Sequence, residues 1–174
     1  MFLGFVVFAA IVAAALWFVA TYNHLTATKQ RVARAWSNLD VPVRERHDEL
    51  PKLLEICAKH LRGEQAALDR VLEARGAIFA ARHSFDPKVL GPAEIRLHRE
   101  LGNLLALAQD DRELVVNQHF SILRQRLAQL GSEIAERRKL YNDAVNENNI
   151  AIEQFPGRIV AGIGGFRTFE PLDF

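Results

Sequence analysis

An uninterrupted apolar segment opens the chain, FLGFVVFAAIVAAALWFVAT from Phe2 to Thr21, without one charged side chain. As an α-helix it would be about 30 Å long, which matches the hydrocarbon core of a bilayer. Trp17 and Tyr22 lie near its end, where amphipathic rings favour the membrane–water interface. A cleaved signal peptide is the alternative, but its basic start, shorter apolar core and small-x-small cleavage site are not well formed here. Residues 1–21 are therefore predicted to be an uncleaved transmembrane anchor.

The charges beside this segment predict its orientation. Only the amino group of Met1 precedes it, whereas Lys29, Arg31 and Arg34 follow it. Because cationic flanks are retained in the cytoplasm, we expect a single-pass protein with its N-terminus outside and its body in the cytoplasm.

The remaining composition excludes several classes of protein. The net charge is +1 over 174 residues, and no basic face stands out, so nucleic-acid binding has no electrostatic support. Cys57 is the only cysteine, so neither an intrachain disulfide nor a thiolate metal site can form. The chain that follows the anchor is long enough for one domain with a real core.

Apolar residues recur in steps of three and four after the anchor, and they predict four helices. The first continues from the anchor to about Cys57, with bends expected at Pro42 and Pro51. The others cover about 64–82, about 91–108 and about 117–155. Residues 22–155 are therefore predicted to form an all-α, antiparallel up-and-down four-helix bundle with long first and last helices and coiled-coil-like spacing.

Residues 156–174 form an apolar, glycine-rich tail. Gly162, Gly164 and Gly165 discourage helix, so the tail is predicted to be irregular. Its apolar side chains would form an exposed patch in water, and we expect it to dock on protein or lipid.

Three stretches together resemble the LemA family: YNHL after the anchor, RVARAWSNLDVPVRERHDELPKLLEICAKH, and ERRKLYNDAVNENNIAIEQFPGRIVAGIGGF. The resemblance covers essentially the whole chain. The chain departs from the family pattern at Pro42 and at 147–149, where the family often has a second Tyr-Asn pair. The resemblance implies a membrane-tethered helical bundle in a bacterium, hence an inner-membrane location, and it brings no established catalytic residues.

The closing stretch contains four asparagines, which are poor helix formers. If the first and last helices run antiparallel with Phe155 level with Tyr22, the equal rise per residue predicts which residues of the two helices lie at the same level. The predicted contact and register residues are Lys29 with Asn148, Trp36 with Tyr141, and Asp40 with Arg137. Asn148 and Lys29 would form a polar layer that sets the register. The alternatives are that the asparagines are only solvated and that Arg137 extends to water. Asn146 and Asn149 are expected to be exposed or to face another subunit.

No set of residues points to catalysis, a cofactor or a metal. None of the six histidines has a Glu three residues before it, so the Glu-x-x-His pattern of di-metal bundles is missing. Cys57 and His60 could form a thiol and base pair, but Cys57 lies on the apolar stripe, and an inert packed thiol is the preferred interpretation.

The chain is therefore predicted to be a membrane-anchored structural or interaction protein that self-associates as a scaffold. Its expected partners are the lipid bilayer, copies of itself and other membrane proteins. The alternative is an adaptor in signalling or envelope stress, which would bind a partner through the face around Asn146 and Asn149. An enzyme is not expected. Small residues in the anchor permit close helix contact: Gly4, Ala9, Ala10, Ala13, Ala14 and Ala15.

Overall fold

A computed structural model describes residues 2–84 and 86–174. Met1, whose amino group enters the orientation argument, and Phe85, in the predicted connection at 84–91, lie outside the described residues. Within the described part the chain is all-helical and contains no strand, which confirms the prediction of an all-α protein. The helices are α1 (Phe2–His60), α2 (Gln65–Ser84), α3 (Pro87–Gln109), α4 (Arg112–Val116), α5 (Gln118–Glu153) and α6 (Gly157–Gly164).

Helix α1 continues without a break from the apolar segment into the rest of the chain, as predicted. Pro42 and Pro51 lie inside it. The helix ends where Lys59 and His60 complement its negative terminus and where Gly63 adopts a φ of 113° in the following turn.

Helix α3 begins four residues earlier than the predicted start at Gly91. Asp86 caps it, because its carboxylate accepts a hydrogen bond of 2.9 Å from the backbone N–H of Lys88, and Pro87 occupies the first turn. Pro92 therefore lies inside the helix. Gly91 has a different role, since a Cβ there would stand 2.6 Å from the carbonyl oxygen of Asp173.

The predicted break after Ala108 contains the short helix α4. The predicted start of the last helix near residue 117 is confirmed, and Asn117 caps the helix, because its Oδ1 accepts a hydrogen bond of 3.1 Å from the N–H of Phe120. Helix α5 ends at Glu153, and Phe155, expected on its buried stripe, is 78% exposed.

The tail is not irregular throughout, because α6 occupies Gly157–Gly164. Burial of Val160 and Ala161 against Leu25 of α1 offsets the poor helix propensity of its glycines. At Gly157 the backbone passes close to the end of α5, and only glycine fits there, since a Cβ would stand 1.8 Å from the carbonyl oxygen of Ala151. The prediction of irregular structure was wrong because it considered only the low helix propensity of the glycines and not the surface against which the helix packs.

The chain forms two compact units. Unit 1 contains the residues up to Trp36 together with Leu140–Pro171, and unit 2 contains Ser37–Lys139 with Leu172–Phe174. Unit 1 has a core cluster of Leu25, Val160 and Ala161, against which Phe18, Ala151, Ile152 and Phe166 pack. In unit 2 the largest fully buried side chains are Leu39, Leu50, Leu53, Ile78, Leu97, Leu104, Leu114, Phe120, Leu130, Ile134 and Leu172.

Candidate functional site

In unit 1, Asn149 binds the segment that follows α6, which has no regular secondary structure. Its Nδ2 donates to the carbonyl of Phe169 at 2.8 Å, and its Oδ1 accepts from the N–H of the same residue at 2.9 Å. The Tyr141 hydroxyl donates to the carbonyl of Glu170 at 3.0 Å. Asn149 was expected to be exposed or to face another subunit, but it is satisfied within its own chain. An Asn side chain can pair with both backbone groups of one residue, and the sequence could not reveal which residue that would be.

Asn148 lies one residue earlier and is completely buried beside Thr28. The Thr28 hydroxyl donates to the Leu25 carbonyl at 2.8 Å and lies 3.1 Å from Asn148 Oδ1. A polar layer is therefore present, but its partner on α1 is Thr28 and not the predicted Lys29, which is exposed. Both residues fit the three-four spacing. A short hydroxyl fits a buried layer, whereas an ammonium group must reach water.

Trp36 and Tyr141 contact each other, with ring centroids 5.3 Å apart in an edge-on arrangement. Arg31 pairs with Glu147 at 2.7 Å on the exposed side of the same helix pair. Contacts therefore advance along α1 as they go back along α5, so the two helices run antiparallel within unit 1. Burial raises the pKa of the Tyr141 hydroxyl to about 12, and the nearby carboxylate of Glu170 adds to this effect.

The third predicted pair, Asp40 with Arg137, does not form. Asp40 instead receives two hydrogen bonds from Arg82, of 2.5 and 2.9 Å, and one of 3.2 Å from Arg44. The hydrogen bond from Arg82 is the main reason that the pKa of Asp40 is lowered. Arg137 is partly exposed and lies 3.7 Å from Glu133, one turn earlier on its own helix. The prediction compared only two helices, while α2 supplies the cation that meets Asp40.

Unit 2 also contains a buried ion pair that the sequence did not indicate. One Arg46 nitrogen lies 2.5 Å from each carboxylate oxygen of Glu94, and the two side chains are 9% and 2% exposed. Arg46 Nε and the neighbouring His47 Nδ1 are buried without a hydrogen-bond partner. The spacing of residues along α1 could not indicate this partner of Arg46, because the pairing depends on how α3 packs.

Most of these contacts lie in a stretch of the chain that matches a known family. The LemA family matches the chain over residues 35–174. The chain belongs to the LemA family. A comparison with curated proteins found no match.

The LemA match begins near Trp36 and so contains the ion pairs of Asp40 and Arg46 and the binding of the C-terminal segment. It does not contain the apolar segment, which lies earlier in α1. Among the described residues, α1 is the one helix that is long and apolar enough to cross a membrane by length and composition, and its most apolar window is not buried.

A cavity of about 410 Å³ lies within unit 2 of this LemA-family chain, lined in part by Arg46, Glu94, Arg99 and Arg138. Arg46 is already paired with Glu94, and Arg99 is paired with Glu100 at 3.1 Å. The Arg138 guanidinium lies 4.8 Å from the centre of the Phe174 ring. Two of these three arginines are therefore paired with carboxylates, and the third contacts an aromatic ring.

The described residues contain no group of three or more His, Cys, Asp or Glu side chains that could hold a metal ion. Cys57 is fully buried, and burial raises the pKa of its thiol to about 11. The packed position expected for Cys57 is confirmed, and the raised pKa disfavours its nucleophilic thiolate at neutral pH.

Proposed function

We propose that this LemA-family chain is a membrane-anchored structural and interaction protein that self-associates as a scaffold in the inner membrane of a bacterium. The observation that carries the proposal is the exposure of the apolar part of α1, where the side chains of Phe2, Leu3 and Phe5 are 83%, 77% and 71% exposed. Each large apolar side chain gains on the order of 1.5–3 kcal/mol when it leaves water. A bilayer would supply that environment to the whole segment.

The continuity of α1 supports an anchor that is retained. Phe18 packs against the cluster of Leu25, Val160 and Ala161, so the end of the apolar segment belongs to the core of unit 1. Cleavage at the end of the segment would remove this side chain from the core. A signal peptide has no need of such contacts with the mature protein.

The proposed orientation places the N-terminus outside and the residues that follow the anchor in the cytoplasm. Lys29, Arg31 and Arg34 are exposed just beyond the segment, and their charge favours the cytoplasmic side. A single engineered cysteine at Ser84, tested with an impermeant thiol reagent in intact cells, would be protected in this orientation. If the reagent labels this cysteine before the cells are opened, the orientation is the opposite of the proposed one.

The proposal also includes a four-helix bundle in unit 2. Residues on α1 and α2 pair in opposite order along the two helices, as Asp40 does with Arg82 and the His47 carbonyl with Arg75 Nε. Helices α2 and α3 also pair in opposite order, through Arg70 with Glu100 and Glu73 with Arg96. Helix α5 supplies the fourth apolar face.

Self-association is proposed through the small residues of the anchor, which allow close contact between helices. The proposal includes no catalytic step, no cofactor and no nucleic acid. The shifted pKa values of Asp40, Cys57 and Tyr141 arise from an ion pair and from burial within the core, which are structural causes.

The decisive experiment measures the mass of the protein extracted in mild detergent. We expect a closed homo-oligomer, which the paired substitution Ala10→Ile with Ala14→Ile should dissociate. Val12→Leu is the matched control, because a separation of two residues places it on the opposite side of the helix. If the protein is instead a monomer bound to a second protein, the adaptor function is favoured over the scaffold. The adaptor face predicted around Asn149 is less suitable, since Asn149 already binds Phe169.

A further inference from the structure

Helix α6 has one buried face and one exposed apolar face. Gly157, Val160 and Ala161 are buried, whereas Ile159 and Ile163 are 52% and 71% exposed one turn apart. Phe155, just before the helix, is 78% exposed. Phe155, Ile159 and Ile163 are called here the α6 apolar surface.

Contacts with α1 determine where this surface lies in unit 1. The ring of Phe155 is 6.1 Å from that of Trp17, and the ring of Phe166, beyond the other end of α6, is 5.3 Å from that of Tyr22. Both α1 residues lie where the apolar segment ends. A bilayer that surrounds residues 2–21 therefore reaches the level of α6, so the α6 apolar surface continues the membrane-facing surface of α1.

We propose that the α6 apolar surface inserts into the headgroup region of the bilayer, which makes α6 an interfacial helix and a second membrane contact. The inference rests on the proposed membrane anchoring and adds the site and the lipid chemistry to it. Arg158 precedes Ile159 on α6, and Arg167 follows the helix; both are exposed, and their charge favours anionic headgroups. Apolar side chains flanked by cations are typical of helices that lie in the plane of a membrane.

The test uses the full chain in vesicles of phosphatidylcholine and phosphatidylglycerol. Cys57 is replaced by Ala, and single cysteines at Val12, Ile163 or Leu140 carry an environment-sensitive dye. Lipids with a quencher near the headgroup or deep in the acyl chain report the depth of each label. Leu140 is the matched control, because it is 49% exposed but lies about 20 Å along α5 from the end of that helix.

We expect the deep quencher to act on Val12, the shallow quencher to act on Ile163, and neither to act on Leu140. If Ile163 behaves like Leu140 while Val12 is quenched, the interfacial helix is overturned and the anchor stands. If Val12 is not quenched, the proposed anchoring fails and this inference fails with it. An Ile163 label that is shielded only when copies associate would also overturn the inference, in favour of a protein partner.

A second measurement tests the lipid chemistry. Quenching of the Ile163 label should increase with the fraction of anionic lipid. Replacing both Arg158 and Arg167 by Gln should reduce this increase, because each arginine strengthens the binding of α6 to an anionic surface by about fivefold. The control pair is Arg124→Gln with Lys139→Gln, which also removes two exposed charges but outside unit 1. An equal loss of lipid dependence in both pairs would contradict a local role of the two α6 arginines.

Discussion

Replacing Asn149 by Ala tests why the chain has asparagines near the end of α5. In the structure the Asn149 side chain makes two hydrogen bonds with the backbone of Phe169, of 2.8 and 2.9 Å. The substitution removes both and leaves a partly buried N–H and C=O without partners. The segment around Phe169 should then separate from α5 more often.

The magnitude follows from these two contacts. A hydrogen bond contributes about 0.5–1.5 kcal/mol net, so the pair stabilises the bound segment by about 1–3 kcal/mol. Helix α5 remains helical when the segment separates, so the helix propensity of residue 149 does not enter this equilibrium. We therefore expect the free energy of local opening to fall by about 1–3 kcal/mol, which is about a 5- to 150-fold increase in the open population.

Hydrogen exchange of the peptide that contains Phe169 is the direct assay, since the Phe169 amide is one of the lost donors. Exchange should accelerate in Asn149→Ala, while peptides from α2 should be unchanged. Asn146→Ala is the matched control, because Asn146 is exposed on the same helix three residues earlier. It should leave exchange at Phe169 unchanged.

Two results would refute this reasoning. If Asn149→Ala leaves exchange at Phe169 unchanged, the two hydrogen bonds do not hold the segment. If Asn146→Ala accelerates it equally, the effect comes from the helix and not from these hydrogen bonds.

Three further outcomes are expected. Glu94→Ala should lower the free energy of unfolding by about 3–5 kcal/mol, because it leaves Arg46 buried without its charge partner. The double substitution Arg46→Met with Glu94→Leu should cost much less, because no buried charge is left unpaired. Equal losses of the two variants in denaturant titrations would contradict this. Gly157→Ala should lower the melting temperature, since its Cβ would overlap the Ala151 carbonyl, and an unchanged value would exclude that close approach. Burial, with a smaller contribution from Arg75, lowers the pKa of His47 below 6.5, so the unfolded chain binds this proton at a higher pH than the folded chain. The free energy of unfolding should therefore decline as the pH falls below 6.5. His47→Gln should reduce the slope of the unfolding free energy against pH.

The sequence predicted the elements whose causes are local. The apolar segment, the three-four spacing of α1 and α5 and the cap at Asn117 each depend on residues close together in the chain. The family resemblance was confirmed over residues 35–174 for the same reason, since it rests on contiguous stretches.

The candidate site was predicted only in part. Trp36 and Tyr141 contact each other because a regular rise per residue determines which levels of two antiparallel helices coincide. The rise does not determine which of two adjacent residues turns inward, and so Thr28 lies in the buried layer in place of Lys29.

Periodicity, caps and the apolar segment were therefore determined by the sequence itself, because each is an interaction between residues a few positions apart. Only the tertiary structure decided that Asp40 pairs with Arg82 on α2, that Asn149 binds Phe169, and that glycine-rich α6 is helical. Those outcomes depend on surfaces that exist only after other helices have packed, and a side chain takes the partner that packing brings within reach.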